Sequence, residues 1–142
     1  MREKIALFCN VRKQNVVQNL TADNLYAVPL MLEKEGLALD VCEHLHLDKK
    51  EPKNEEWEKM IENIRSIGDE TVNIAIVGKY IQLEDSYLSV AESLQHGGFA
   101  NNVKVKVHFI DSENITKENV AETLDGIDGV VVPGGFGNRG IE

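Results

Sequence analysis

A glycine-rich segment near the end of the sequence has residue types that can bind a developing negative charge. It reads VVVPGGFGNRG over residues 130–140 and opens with a run of β-branched apolar residues. Glycines let backbone N–H groups approach a ligand closely, and N–H groups directed at an oxygen stabilise charge on it, as in an oxyanion hole. Glycines after a buried strand more often form only a tight turn, so the residues alone leave both interpretations open.

Two lysines lie beside other apolar runs. Lys79 and Tyr80 follow the run over residues 72–78, and Lys4 precedes the run over residues 5–9. Lys79 could hold an anionic group while Tyr80 stacks on a ligand or caps a cavity, but a surface lysine beside a half-buried tyrosine fits as well. Lys4 is either a solvated flank or a phosphate contact.

The cysteines and histidines have no pattern typical of a nucleophile or a metal site. Cys9 and Cys42 fall in a predicted strand and a predicted helix, not on a strand-to-helix elbow between glycines, so we interpret both as reduced core thiols. A disulfide or a reactive thiol is the alternative. His44 and His46 lack further ligands in a recognisable pattern, which favours a solvated helix end over a metal pair, and no metal site is predicted. The sequence contains no G-x-x-x-x-G-K-S/T phosphate loop.

The apolar pattern predicts elements in two groups separated by a charged linker. In the first 47 residues it predicts a buried strand over residues 5–9 and a helix after the start signal at residues 21–24, which Pro29 kinks or splits before Gly36. A further helix is predicted over residues 37–47. Residues 48–54 form the linker, and an amphipathic helix around Trp57 follows it.

The remaining residues alternate between strand and helix patterns. The predicted elements are a strand over 72–77, a helix from 88 that stops near Gly97 and Gly98, a strand over 103–109, a helix over 116–124 capped by Thr116, and a strand over 128–132. Such alternation predicts an α/β fold with a parallel sheet and right-handed crossovers. We therefore predict three parts: residues 1–47, a linker with a helix over 48–70, and residues 71–142.

Composition restricts the class of protein. With 42% hydrophobic and 27% charged residues, the chain of 142 residues has the balance of an ordered globular protein. No apolar run approaches the roughly 20 residues that span a bilayer, so no membrane span is predicted. A net charge of −9 argues against general nucleic-acid binding, which requires a positive surface.

Several motifs, taken in order, resemble the CTP synthase family. They are KIALFCNV at 4–11, LYAVPL at 25–30, VGKYI at 77–81, DSYLSV at 85–90 and VPGGFGNRG at 132–140. The resemblance covers nearly the whole chain and is weakest around residues 48–67. It implies the start of a flavodoxin-like, class I glutamine amidotransferase domain, preceded by a small strand-helix piece of a Rossmann-like amidoligase domain. The family makes CTP from UTP and ATP with ammonia released from glutamine, by phosphorylating the 4-oxygen of UTP.

The resemblance also implies binding residues, position by position. Lys4 and Phe8 match the UTP/CTP site. Leu20, Thr21 and Ala22 fall where the family touches ATP. Their side chains depart from its usual Lys-Asp-Val type segment, a change that backbone contacts could survive. The last two sets are the glutamine-binding or oxyanion-hole residues Gly134, Gly135 and Phe136, and the lid-loop residues Asn138, Arg139 and Gly140.

Ligands and partners follow from the same resemblance. It implies UTP, ATP, glutamine and the activator GTP as ligands, and Lys79 and Arg139 are weak candidates for the GTP site. It also implies ATP and Mg²⁺ as the family's cofactors. None of these cofactors is expected to be held by the 142 residues alone. The resemblance further implies a cytoplasmic homotetramer with neither a nucleic-acid nor a membrane partner.

Both ends of the sequence are expected to be cut edges of a longer protein. The family's cysteine nucleophile would follow within roughly 25 residues on a nucleophile elbow, and its phosphate loop and magnesium ligands would precede Met1. No catalytic residue is therefore expected here, and the chain alone is predicted to be inactive. Two alternatives remain open: a non-catalytic flavodoxin-like module that binds a nucleotide or glutamine, and an interaction protein that docks through the Trp57 helix.

Overall fold

The computed structural model describes residues 1–83 and 85–135. The chain divides into two compact units, Met1–Glu62 and Asn63–Glu142. Regular structure in the first unit is helical: α1 (Arg2–Cys9), α2 (Val28–Lys34), α3 (Leu37–His44) and the first part of α4 (Glu55–Ser66), with short 3₁₀ turns at Lys13–Asn15 and Leu25–Ala27. The amphipathic helix predicted around Trp57 is confirmed as α4.

The predicted strand over residues 5–9 is wrong, because these residues belong to α1. A strand needs a neighbour to bond its N–H and C=O groups, and residues 1–62, all of them described, contain no other strand. A helix satisfies those groups within the segment, and Asn10 ends α1 in the left-handed conformation at φ 52. The small strand-helix piece expected here is thus helical.

Exposure of α1 overturns a second expectation. The side chains of Leu7 and Phe8 are 79% and 78% exposed, and the Cys9 thiol lies at the surface. Cys9 is therefore not a core thiol, whereas Cys42 is partly buried. Both thiols are free of a disulfide.

The start of α2 follows the sequence signals. The N–H of Tyr26 donates to Asn24 Oδ1 at 2.8 Å, and Pro29 lies in the first turn of α2. This confirms that Pro29 splits the pattern, since a 3₁₀ turn precedes the α-helix instead of one continuous helix. Gly36 then separates α2 from α3 at φ 83, a conformation that glycine adopts without strain.

Ion pairs join distant parts of the first unit. Glu43 on α3 accepts from Lys49 Nζ at 2.8 Å and from Arg12 Nη2 at 2.9 Å, and these two bonds lower the pKa of Glu43 from 4.5 to about 2. Arg2 also pairs with Glu35 on α2. The network links the loop after α1 and the start of the linker to α3.

Glu43 should make the stability of the first unit depend on pH. A carboxyl whose folded pKa lies below its unfolded value of 4.5 stabilises the fold above pH 4.5, and this contribution is lost as the pH falls toward about 2. We expect the free energy of unfolding of the wild type to exceed that of Glu43→Gln above pH 4.5, with the difference vanishing near pH 2. Denaturant unfolding followed by the fluorescence of Trp57, the single tryptophan, measures the free energy of unfolding of the wild type and of Glu43→Gln at each pH. A pH-independent difference would contradict this assignment.

The second unit contains a three-stranded parallel sheet in the order β2-β1-β3. Its strands are β1 (Thr71–Gly78), β2 (Lys104–Asp111) and β3 (Gly129–Val131), connected through α5 (Leu88–Asn101) and α6 (Val120–Thr123). Central strand β1 is the most buried, with Ala75 and Ile76 fully inaccessible. The predicted α/β class, parallel sheet and three strands are confirmed.

Helix α5 does not stop near Gly97 and Gly98 as predicted; it continues to Asn101 and is capped by Asn102 in the left-handed conformation. Gly98 has a different role. A Cβ on Gly98 would lie 2.7 Å from Val105 Cγ2 and 2.8 Å from the Val103 carbonyl oxygen, so its missing side chain allows α5 to approach the sheet closely. A Cβ on Gly97 would meet nothing within 4 Å.

The helix predicted over residues 116–124 is shorter than expected. Thr116 Oγ1 accepts the N–H groups of Glu118 and Asn119, but these lie in a turn before the helix. The regular helix is only Val120–Thr123, and its N-cap residue is Asn119, so the prediction that Thr116 caps it is wrong. Asn119 bonds the N–H of Thr116 and the carbonyl oxygen of Asn114 through its side chain. These local side-chain bonds favour a turn over a first helical turn.

Candidate functional site

The strand order creates a topological switch point between β1 and β3. The chain passes from β1 to β2 on one side and then returns to β3 on the other side of β1. In open parallel sheets, ligands bind where connections diverge in this way, at the carboxyl ends of the strands. Ile76 pairs with Val131, so Gly78 and the residues after β3 reach the same edge of the sheet.

The glycine segment after β3 is open to solvent where the structure describes it. Gly134 and Gly135 are exposed, and a Cβ on Gly134 would meet nothing within 4 Å. Backbone N–H groups in such a segment can face a ligand. Phe136 and the lid-loop residues Asn138, Arg139 and Gly140 lie outside the described residues.

A buried tyrosine supports the turn after β1. Tyr87 is 8% exposed, and its hydroxyl accepts a hydrogen bond from the N–H of Tyr80 at 3.3 Å. A Cβ on Gly78 would lie 2.6 Å from Tyr87 Cζ, so only glycine lets this ring lie against the end of β1. The sequence pattern did not indicate this role of Tyr87; its one local signal was Gly78, a glycine that ends a buried strand.

Lys79 and Tyr80 are thereby placed beside the switch point. Lys79 is partly buried and Tyr80 is 37% exposed. Both residues directly follow β1 and therefore lie near the sheet edge that the glycine segment also reaches.

In the first unit, the candidate UTP/CTP residues share one helix. Lys4 and Phe8 are four residues apart on α1, which puts them on one exposed face of a helix instead of on the expected strand. The structure therefore keeps the pair together but changes the element that carries it.

The candidate ATP residues line a shallow cavity of about 360 Å³. Its lining combines the predicted Leu20, Thr21 and Ala22 with three residues that the sequence did not indicate, namely Asn19, Leu25 and Val28. The cavity is open and mixed in polarity, so it presents both apolar side chains and polar groups to a ligand.

The described residues include no group of three or more His, Cys, Asp or Glu side chains arranged to hold a metal ion. His44 instead has its Nδ1 2.9 Å from the carbonyl oxygen of Asp40, one turn earlier on α3. Of the helices that the structure describes, none combines the length and the apolar composition needed to cross a membrane.

Comparison with known proteins gives two family matches along the chain. Residues 1–47 match the family model described as CTP synthase N-terminus, and residues 82–142 match the model described as glutamine amidotransferase class-I. Strand β1 lies outside both matched ranges but is hydrogen-bonded to β2 and β3.

Curated relatives align with the whole chain. All 142 residues are 56% identical to a CTP synthase of Clostridium acetobutylicum, 53% to one of Clostridium kluyveri and 50% to one of Halalkalibacterium halodurans. In each comparison the chain covers 26% of the relative, so it spans about a quarter of the length of these enzymes.

Proposed function

Because the chain belongs to the CTP synthase family and spans 26% of the length of its curated relatives, we propose that it forms the junction of the two catalytic domains of such an enzyme. Residues 1–47 would close the amidoligase domain, residues 48–70 would link the domains, and residues 71–142 would begin the glutamine amidotransferase domain. The observation that carries the proposal is the order of the two family matches within one chain that aligns throughout with CTP synthases.

The glycine segment after β3 is proposed to bind glutamine and stabilise the oxyanion formed during its hydrolysis. Gly134 and Gly135 lie at the switch-point edge and are exposed there, as a segment that donates backbone N–H groups to a ligand must be. Phe136 would complete the site, and Asn138, Arg139 and Gly140 would begin the lid above it. Lys79 and Arg139 are proposed contacts for the activator GTP.

The first unit is proposed to contribute nucleotide contacts. Lys4 supplies a cation for the phosphates of UTP or CTP, and Phe8 lies beside it on the same helix face. The cavity lined by Leu20, Thr21 and Ala22 is open enough for part of ATP, and its apolar members Leu25 and Val28 suit contact with a base. ATP would act with Mg²⁺, and the assembled enzyme would be a cytoplasmic homotetramer.

The 142 residues alone are proposed to be inactive. Glutamine hydrolysis by a class I amidotransferase needs a cysteine on an elbow between glycines, and neither Cys9 nor Cys42 has glycine neighbours. Phosphorylation of UTP needs a phosphate-binding loop, which this sequence does not contain.

A graft tests the proposal. We expect the Clostridium acetobutylicum enzyme to form CTP from either glutamine or ammonia after its matching 142 residues are replaced by this chain. The isolated chain should neither form CTP nor hydrolyse glutamine above background. Activity with ammonia tests residues 1–47, and activity with glutamine also tests the glycine segment.

Two outcomes contradict the proposal. Glutamine hydrolysis by the isolated chain would show a nucleophile that the proposal lacks. A graft that folds and assembles as its parent does, yet forms no CTP from ammonia, would remove the catalytic assignment in favour of a non-catalytic binding module.

A further inference from the structure

Asp128 joins the start of β3 to β1 in an unusual way. Gly126 turns the chain at φ 71, and the N–H of Ile127 donates backward to the carbonyl oxygen of Leu124 at 3.1 Å. The N–H of Ile127 is therefore directed toward the end of α6, and Asp128 is the first residue of this segment that bonds to the sheet. There the N–H of Asp128 donates to the Asn73 carbonyl oxygen at 2.8 Å, and Asp128 Oδ2 accepts the N–H of Asn73 at 2.7 Å.

The carboxylate thus acts as the acceptor that a longer strand would supply from its backbone. A backbone N–H at the end of a ladder requires a partner, and an ionised oxygen is a stronger acceptor than a carbonyl oxygen. Asp128 bonds both backbone polar groups of Asn73, so it extends the β1–β3 ladder by one position beyond the three residues of β3.

A third side chain fixes the orientation of Asn73. His108 Nε2 lies 3.0 Å from Asn73 Oδ1, which makes this ring nitrogen the donor, and Asn73 Nδ2 points toward Asp128 Oδ2 at 3.4 Å. The three residues lie on β2, on β1 and at the start of β3, so one chain of polar groups crosses all three strands. The side-chain hydrogen bonds run in one direction, from His108 to Asn73 and from Asn73 to the Asp128 carboxylate. This fixes the side-chain amide of Asn73 with its oxygen toward His108 and its nitrogen toward Asp128.

We propose that Asp128 is a positioning residue whose carboxylate holds β3 in register on β1 and thereby sets where Gly134 and Gly135 lie. A strand of three residues has little other pairing to define its register, and the glycine segment begins only three residues after Val131. That the placement of Gly134 and Gly135 matters for glutamine binding rests on the proposed function. The hydrogen bonds of Asp128 are observed independently of that function.

Amide hydrogen exchange on the whole 142-residue chain tests the proposal without any assay of activity. We expect Asp128→Ala to speed exchange of the Asn73 amide and of the β3 amides by about tenfold or more, and to shift the NMR resonances of Gly134 and Gly135. Exchange in β2 should change less than twofold. Asp128→Asn should restore most of the protection, because its amide oxygen still accepts the N–H of Asn73.

Asp125→Ala is the matched control, since it removes the same charge from an exposed position three residues earlier. It should leave exchange and both glycine resonances as in the wild type. Equal protection in Asp128→Ala and the wild type would overturn the proposal, as would a uniform rise across all three strands. If Asp128→Ala does not fold, two other variants decide. The proposal requires that Asp128→Asn keep near-native protection of the β3 amides. It also requires that His108→Ala change the side-chain NH₂ resonance of Asn73.

Discussion

Replacing Gly98 by alanine is expected to lower the free energy of unfolding of the second unit by about 2 kcal/mol. The added Cβ would lie 2.7 Å from Val105 Cγ2 and 2.8 Å from the Val103 carbonyl oxygen. The valine methyl group can rotate away, but the carbonyl oxygen belongs to the backbone directly before β2, so relief requires α5 to move off the sheet. That movement opens the packing of α5, the long helix that packs on β2.

The neighbouring glycine provides the matched control. Gly97→Ala places a methyl group where nothing lies within 4 Å, and alanine in a helix interior is more stable than glycine by roughly 0.5–1 kcal/mol. The two variants should therefore change stability in opposite directions, although they add the same atom to adjacent residues of one helix. Urea unfolding followed by circular dichroism measures both, and equal effects would show that Gly98 has no special packing role.

The strands of the second unit could be predicted because their signal is local. Residues 72–77 form a short β-branched apolar run and residues 103–109 alternate between apolar and polar side chains, which are the patterns of a buried and a half-buried strand. Each strand finds a neighbour within the same unit. The run over residues 5–9 has the same apolar character, but residues 1–62 offer it no strand to pair with. A short apolar run has no periodicity that separates strand from helix, so the available partners decide its structure.

The residues of the candidate site also differ in whether a local sequence pattern indicates them. The glycine segment after β3 could be found because glycine after a buried strand is a pattern within a few residues. Gly78 indicated a close approach at the end of β1, but not that Tyr87, 9 positions away, makes it. No local pattern indicated that Asp128 bonds Asn73, 55 positions away. A tertiary contact of this kind leaves no periodic trace, and only the folded sheet shows which residues meet.

Gly78→Ala is expected to be the other strongly destabilising change, at about 2 kcal/mol. Its Cβ would lie 2.6 Å from Tyr87 Cζ and 2.8 Å from Tyr87 Cε2. Since Tyr87 is 8% exposed, its ring has little room to withdraw, and displacement of the ring would break the hydrogen bond from the Tyr80 N–H. Gly134→Ala is the control: it adds a Cβ after β3, near the same edge of the sheet but into open space, and should change stability by less than about 0.5 kcal/mol.

A double-mutant cycle separates this contact from any intrinsic preference of the backbone for glycine at position 78. Tyr87→Ala alone leaves a cavity, and Tyr87→Phe alone removes only the hydrogen bond from Tyr80, which costs roughly 1 kcal/mol. If the ring is what excludes a side chain at position 78, Gly78→Ala should cost at least about 1 kcal/mol less in the Tyr87→Ala background than in the wild type. Additive effects would instead place the requirement for glycine in the backbone of β1, and Tyr87 would then have no part in shaping the turn that carries Lys79.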